Sequence, residues 1–117
     1  EVKPWLPVKK EQKQKSVDLQ EDTNDSVLSF YKEMIKARKK HFGREIYDFD
    51  FISSNDLLIF SKGSSKKIIC IFNLDNETKV LQDKKYQKLQ ILPSNNLTKD
   101  KDGYVFKPFG FAFFNLK

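Results

Sequence analysis

Hydrophobic positions divide this chain into two regimes. From Ser26 to His41 they recur at helical spacing, with Val27, Phe30, Tyr31, Met34 and Ile35 at i, i+3, i+4, i+7 and i+8, so one face of a helix is apolar. Asn24, Asp25 and Ser26 supply N-cap oxygens ahead of it. Lys36, Arg38, Lys39 and Lys40 bring positive charge to the negative end of the helix dipole, and Gly43 stands where a C-terminal cap belongs. The pattern predicts one amphipathic helix at about 26–41. Before it, residues 1–25 read as an irregular arm, because Pro4 and Pro7 block helix and ladder hydrogen bonds and a polar Lys/Gln/Glu stretch follows.

After Gly43 the period shortens to two. Tyr47, Phe49 and Phe51 alternate with Asp48 and Asp50, the mark of a strand with one wet face. Turn residues at 53–56 and 62–65 separate Leu57–Phe60 from Ile68–Phe72. A weaker strand is expected near Lys79–Leu81, then Tyr86–Leu92, then Tyr104–Lys107 after a turn at Lys99–Gly103. Pro108 is tolerated at a strand start or an edge, which leaves Gly110–Leu116 as the last strand. Short strands with turns this frequent indicate an antiparallel sandwich or a barrel-like sheet. The expected class is mainly β.

Composition agrees with a folded body: in 117 residues, 38% are hydrophobic and 14% aromatic, with 11 phenylalanines, more apolar surface than disordered chains carry. The net charge of +6 comes from 22 lysines and arginines against 16 acids. Only Arg38 and Arg44 are arginines, and the lysines are interleaved with acids, which describes a solvated surface better than a phosphate-reading patch. Cys70, the single cysteine, sits among isoleucines and is expected to be a buried, inert thiol. A reducing, cytoplasmic setting follows as the expectation. No run of about 18 apolar residues exists, so no membrane partner is expected.

Candidate chemistry is sparse. His41 is the sole histidine, which leaves metal triads and Ser/His/Asp or Cys/His systems without their base. Asp48 and Asp50 share one strand face, but solvent-facing acids of a half-wet strand explain them. Asp100-Lys101-Asp102-Gly103 starts like a calcium loop and lacks its later ligands, so a turn is expected. Asn24-Asp25-Ser26, Asn76-Glu77-Thr78 and Asn96-Leu97-Thr98 match the glycosylation pattern in a chain rich enough in these residues for chance matches. The four glycines form no phosphate loop. Catalytic residues, metal ligands and cofactors are therefore all expected to be none.

Four stretches together resemble the C-terminal end of α-amylase-family glycoside hydrolases, of the oligosaccharide α-glucosidase and oligo-1,6-glucosidase type. Pro4-Trp5-Leu6-Pro7-Val8 is similar to the segment that follows the last barrel strand, and Val17 to Gln20 with Asp25 to Lys39 to the segment entering the final barrel helix. Ile68-Ile69-Cys70-Ile71-Phe72-Asn73-Leu74 resembles the strand opening onto an Asn in the C-terminal domain. Pro108-Phe109-Gly110-Phe111-Ala112 resembles the closing Pro-aromatic-Gly strand. One departure is the short link Lys39-Lys40-His41-Phe42-Gly43-Arg44 between helix and first strand.

The resemblance implies a Greek-key-like antiparallel β-sandwich at 43–117, preceded at 1–42 by the arm and the final helix of a (β/α)₈ barrel. It places the family's catalytic carboxylates, which work by a retaining double displacement across about 5–5.5 Å, upstream of Glu1. The start at Glu1, without methionine, is read as a piece of something longer. The expected function is a non-catalytic hydrolase domain that packs on the barrel through Trp5, Val27, Phe30, Tyr31 and Met34. The barrel is then the partner, with oligosaccharide as a second. Three alternatives stand beside it: a carbohydrate-binding module using Trp5 and Tyr104, a basic nucleic-acid binder, and the non-catalytic heavy subunit of amino-acid transporters.

Overall fold

A computed structural model describes residues 7–42, 49–52, 54, 56–63 and 68–116. The chain divides into two compact units, Glu1–Lys36 and Ala37–Lys117.

The first unit is more helical than the arm's prolines suggested. Helix α1 spans Lys10–Lys13, α2 spans Val17–Glu21 and α3 spans Val27–Ala37. Pro7 precedes α1, and Lys, Gln and Glu are strong helix formers, so nothing within 10–21 opposes short helices. Glutamine side chains then supply the missing partners of the helix ends. The Lys9 amide donates to Gln12 Oε1 at 3.0 Å. Gln20 joins α2 to α3, donating from Nε2 to the Lys15 carbonyl at 2.6 Å and accepting from the Leu28 amide at 3.0 Å. Ser26 is the N-cap of α3, its Oγ accepting from the Ser29 amide at 3.1 Å. After Ala37 the chain continues through a π-helical turn at Arg38–Phe42.

The second unit is an antiparallel sheet. Its strands are β1 (Phe49–Ile52), β2 (Leu58–Lys62), β3 (Ile68–Phe72), β4 (Lys79–Leu81), β5 (Gln90–Asp100) and β6 (Gly103–Asn115), with the short helix α4 (Lys84–Gln87) between β4 and β5. The order is β1-β2-β3-β6-β4, with β5 also paired to β6. Two expectations change here. Tyr86 lies in α4, where Asp83 caps the Lys85 amide at 3.0 Å, and the strand expected at Tyr86–Leu92 begins only at Gln90. The two strands expected around Pro108 are one strand, β6.

That long strand organises the sandwich. Its first half pairs with β4 through Tyr104–Phe106, its second half with β3 through Phe111–Asn115, and β5 runs along both. Tyr104 and Phe114 are ten residues apart, about 33 Å in an extended strand, yet their rings lie 5.2 Å apart. The strand must fold over between its halves. The fold occurs at Pro108-Phe109-Gly110, with Phe109 at φ 55°, and a Cβ on Gly110 would stand 2.6 Å from the Asn96 carbonyl oxygen. Pro108 is accommodated because its position is this corner, where β6 changes partners.

The folded sheet encloses one core. Leu57, Ile59, Ile69, Ile71, Tyr86, Tyr104, Phe106, Ala112 and Phe114 are all buried in it. Gly103 belongs to the same packing, since a side chain there would run into the Leu81 carbonyl of β4.

Candidate docking surface

Strand register fixes which residues share the opposite face. Phe51 pairs with Phe60, Phe60 with Cys70 and Cys70 with Phe113. One step along, Phe49 pairs with Lys62 and Lys62 with Ile68; on the other side, Leu58 pairs with Phe72 and Phe72 with Phe111. Because paired residues project to the same side of a sheet, this face is built mostly of phenylalanine. Phe60 and Phe72 stack at 5.9 Å, Phe72 and Phe111 at 6.1 Å, and Phe49 and Phe51 lie 5.6 and 6.1 Å from Phe60.

The π-helical turn adds a seventh ring. Phe42 meets Phe113 edge to face at 5.4 Å, and between it and the sheet lies a cleft of about 290 Å³. Phe42, Phe49, Phe60, Phe72 and Phe113 form its apolar wall, and Cys70 lines it as well. Among the described residues its charged lining residues are Arg38 and Lys62. The Lys62 Nζ sits between two rings, 5.7 Å from Phe42 and 5.6 Å from Phe49, a cation–π arrangement that holds the ammonium beside the cleft.

Much of this face is open. Phe51 is 75% exposed and Phe49 48%, and Phe60, Phe72, Phe111 and Phe113 are half-buried. The expectation for β1 was that Asp50 would point to water and the phenylalanines inward. Instead both sides of this edge strand are open: Asp50 is exposed and so are Phe49 and Phe51. Alternation marks two faces without saying which one is covered. Contiguous exposed apolar area of this kind makes the face a candidate interaction surface.

Cys70 is 2% exposed, and burial pushes its thiol up to about 12, against a smaller opposing effect of Lys62. It is an inert core thiol, as its isoleucine neighbours indicated.

At the corner of the sandwich, two of the sequence stretches singled out above meet. Asn73, 1% exposed, donates from Nδ2 to the carbonyls of Glu77 at 2.7 Å, Lys107 at 3.0 Å and Phe106 at 3.3 Å, and its Oδ1 accepts from the Asp75 amide at 3.1 Å. Its own amide donates to the Gly110 carbonyl at 2.8 Å, and the Phe109 amide donates to the Asp75 carbonyl at 3.1 Å. The Asn that closes β3 thus clamps the Pro-Phe-Gly bend. The ion pair of Asp75 with Lys79, 3.2 Å, sits beside it, and the Lys79 ammonium lowers the Asp75 carboxyl below its usual range.

The other expected positions distribute as follows. Val27, Phe30 and Tyr31 are exposed on α3 and Met34 is half-buried; Phe30 and Tyr31 meet edge to face at 6.3 Å. Trp5 and Asp48 lie outside the described residues. Tyr104, considered for stacking on sugar rings, is 1% exposed and packs on Phe114, so the structure overturns that role. Burial also raises its phenol. His41 is half-buried in the π-helical turn. Asp100-Lys101-Asp102-Gly103 is the β5–β6 hairpin turn, with Asp102 3.5 Å from Lys84. No cluster among the described residues could hold a metal, and no described helix is long and apolar enough to cross a membrane. The phenylalanine face itself was not predicted; its signal was apolar residues at both odd and even positions of β3 and β6.

No family model matches the chain. A probable α-glucosidase of Rhizobium meliloti (strain 1021) is 28% identical over 91 residues, which are 74% of this chain and 16% of that protein. Among solved structures, Eubacterium rectale Amy13B overlays with a TM-score of 0.70 at 14% identity, covering 87% of this chain and 22% of its own. Bacillus licheniformis trehalose-6-phosphate hydrolase overlays with a TM-score of 0.69 at 19% identity over 96% of this chain and 22% of that enzyme. The chain therefore spans only about a sixth to a fifth of the proteins it matches. It resembles the C-terminal domain of α-amylase-family glycosidases, in sequence through the first match and in fold through the others.

Proposed function

We propose that this chain is the non-catalytic C-terminal part of an α-glucosidase-type glycoside hydrolase, and that it packs against and stabilises an upstream (β/α)₈ barrel. The observation that carries the reading is the uncovered phenylalanine face, with Phe51 75% and Phe49 48% exposed. A monomer that left such a face in water would lose the stabilisation of burying it and invite association. The apolar stripe of α3, with Val27 67% and Tyr31 62% exposed, makes the same demand on the first unit. The curated relative, an α-glucosidase six times longer than the matched part, supplies the kind of partner. Bond cleavage in such a protein belongs to paired carboxylates of the barrel, and this chain contributes the support.

Two measurements test this. The reading frame followed upstream of Glu1 should encode a barrel with paired carboxylates, and removing residues 37–117 from that product should lower its melting temperature by many degrees. The 117-residue chain alone should leave a chromogenic α-glucoside intact. Reproducible turnover by the chain, or an upstream region without a barrel, would overturn the reading.

A further inference from the structure

The charge of the cleft says more than its apolarity. Its wall is phenylalanine, and among the described residues its two charged lining residues, Arg38 and Lys62, are both cations and no carboxylate lines it. Neither cation has an ion pair with a described residue. At about 290 Å³ it lies at the bottom of the ~300–1,000 Å³ range of small-ligand clefts, which suits one or two side chains. Its described lining residues offer none of the hydroxyl, amide or carboxylate side chains that would orient a sugar.

We propose that this cleft is the seat of a barrel segment in which an apolar side chain is followed closely by an Asp or Glu, the apolar group entering between Phe42 and Phe60 and the carboxylate meeting Lys62 and Arg38. This rests on the barrel-docking reading above and deepens it by naming the chemistry of the contact. Desolvating Lys62 against two rings is unfavourable unless an anion arrives with the partner. An acidic apolar segment supplies both requirements at once.

The test uses two fluorescent probes of similar size on the 117-residue chain: anionic 8-anilinonaphthalene-1-sulfonate and neutral N-phenyl-1-naphthylamine. The chain should bind the anion about fivefold more tightly, the ratio equivalent to ~1 kcal/mol of attraction at a half-exposed site. Lys62→Met should abolish the preference while keeping the neutral probe bound, and Phe60→Ala should weaken both. Glu45→Gln with Asp48→Asn should leave the ratio unchanged. Equal binding of the two probes, or a ratio that rises in the Glu45/Asp48 variant, would overturn the proposal. In the longer reading-frame product, Lys62→Glu should lower the melting temperature more than Lys62→Met. A chain that prefers the anion but shows no such difference in the longer product, or that dimerises through Lys62, would also overturn the assignment to the barrel. A reading frame without any barrel sinks the docking reading itself, whatever the probes report.

Discussion

One sheet carries two faces of nearly equal hydrophobicity and opposite fate. The face that includes Ile59, Ile71, Tyr104 and Phe114 is closed by the fold of β6, and these four residues are 0–3% exposed. The face that includes Phe49, Phe51, Phe60, Phe72 and Phe111 stays partly open, its rings packed on one another, on Phe113 and Lys62, and over the buried Cys70. Hydrophobicity along the chain does not distinguish them. What does is the cover within this unit: β6 folds over the first face, whereas among the described residues of the unit the short turn ending at Phe42 packs against the second.

The comparison predicts that truncations on the two faces cost very different amounts. Phe114→Ala removes a ring that is 0% exposed and packed on Tyr86 at 5.8 Å and Tyr104 at 5.2 Å. It should destabilise the chain by ~3–5 kcal/mol in denaturant unfolding. A cost below ~1 kcal/mol would mean that the fold of β6 does not close the core.

Next comes the corner that produces the difference. Asn73→Ala leaves the carbonyls of Glu77, Phe106 and Lys107 and the Asp75 amide without this side-chain partner in a site that is 1% exposed at Asn73. The expected loss is ~2–4 kcal/mol. Gly110→Ala should cost ~1–3 kcal/mol, because the added Cβ would meet backbone oxygens of Asn96 at 2.6 Å and Lys107 at 2.9 Å, neither of which can swing aside.

This corner also shows where the sequence was legible and where it was not. The α3 helix and the turn at 101–102 follow from local chemistry, an N-cap serine in one and Asp and Gly at the break in the other, whereas the turns expected at 53–56 and 62–65 fall partly outside the described residues. Asn73 and the Pro-Phe-Gly stretch stood out individually through the family resemblance. That one clamps the other across 33 and 34 residues of chain is a tertiary fact with no local signal. The same holds for Tyr86, whose β-favouring ring ahead of Leu89, Ile91 and Leu92 suggested a strand, whereas the Asp83 cap and its burial decide for a helical turn. The phenylalanine face was hidden for a related reason, since both faces of β3 are apolar and alternation cannot rank them.

A titration separates the inner layer of the second face from its rim. Cys70 lies beneath the rings with its thiol pushed up to about 12 from 9.0. The folded state therefore keeps its proton where the unfolded state releases it. The resulting stability is fully present below pH 9.0 and lost as pH rises from there to about 12. The stability of the parent chain should fall relative to Cys70→Ala by about 1 kcal/mol by pH 10, and native Cys70 should resist alkylation at pH 8. Parallel stability curves for the two proteins would place Cys70 in contact with water.

The smallest effect sharpens the comparison most. Phe51→Ala removes a ring of the same kind as Phe114, on the same sheet, yet 75% exposed. Among the described residues its ring contact is Phe60 at 6.1 Å. In the 117-residue chain the loss should stay within ~0.5 kcal/mol, the range of surface substitutions, and solubility should rise as the apolar patch shrinks. In the longer protein the same substitution should cost ~1–3 kcal/mol, because there the ring is expected to be buried by the barrel. The difference between the two contexts, measured by thermal unfolding of both, reports the cover directly: a small cost in both would make the phenylalanine face an ordinary surface, and a large cost in the short chain would mean that the chain covers Phe51 by itself.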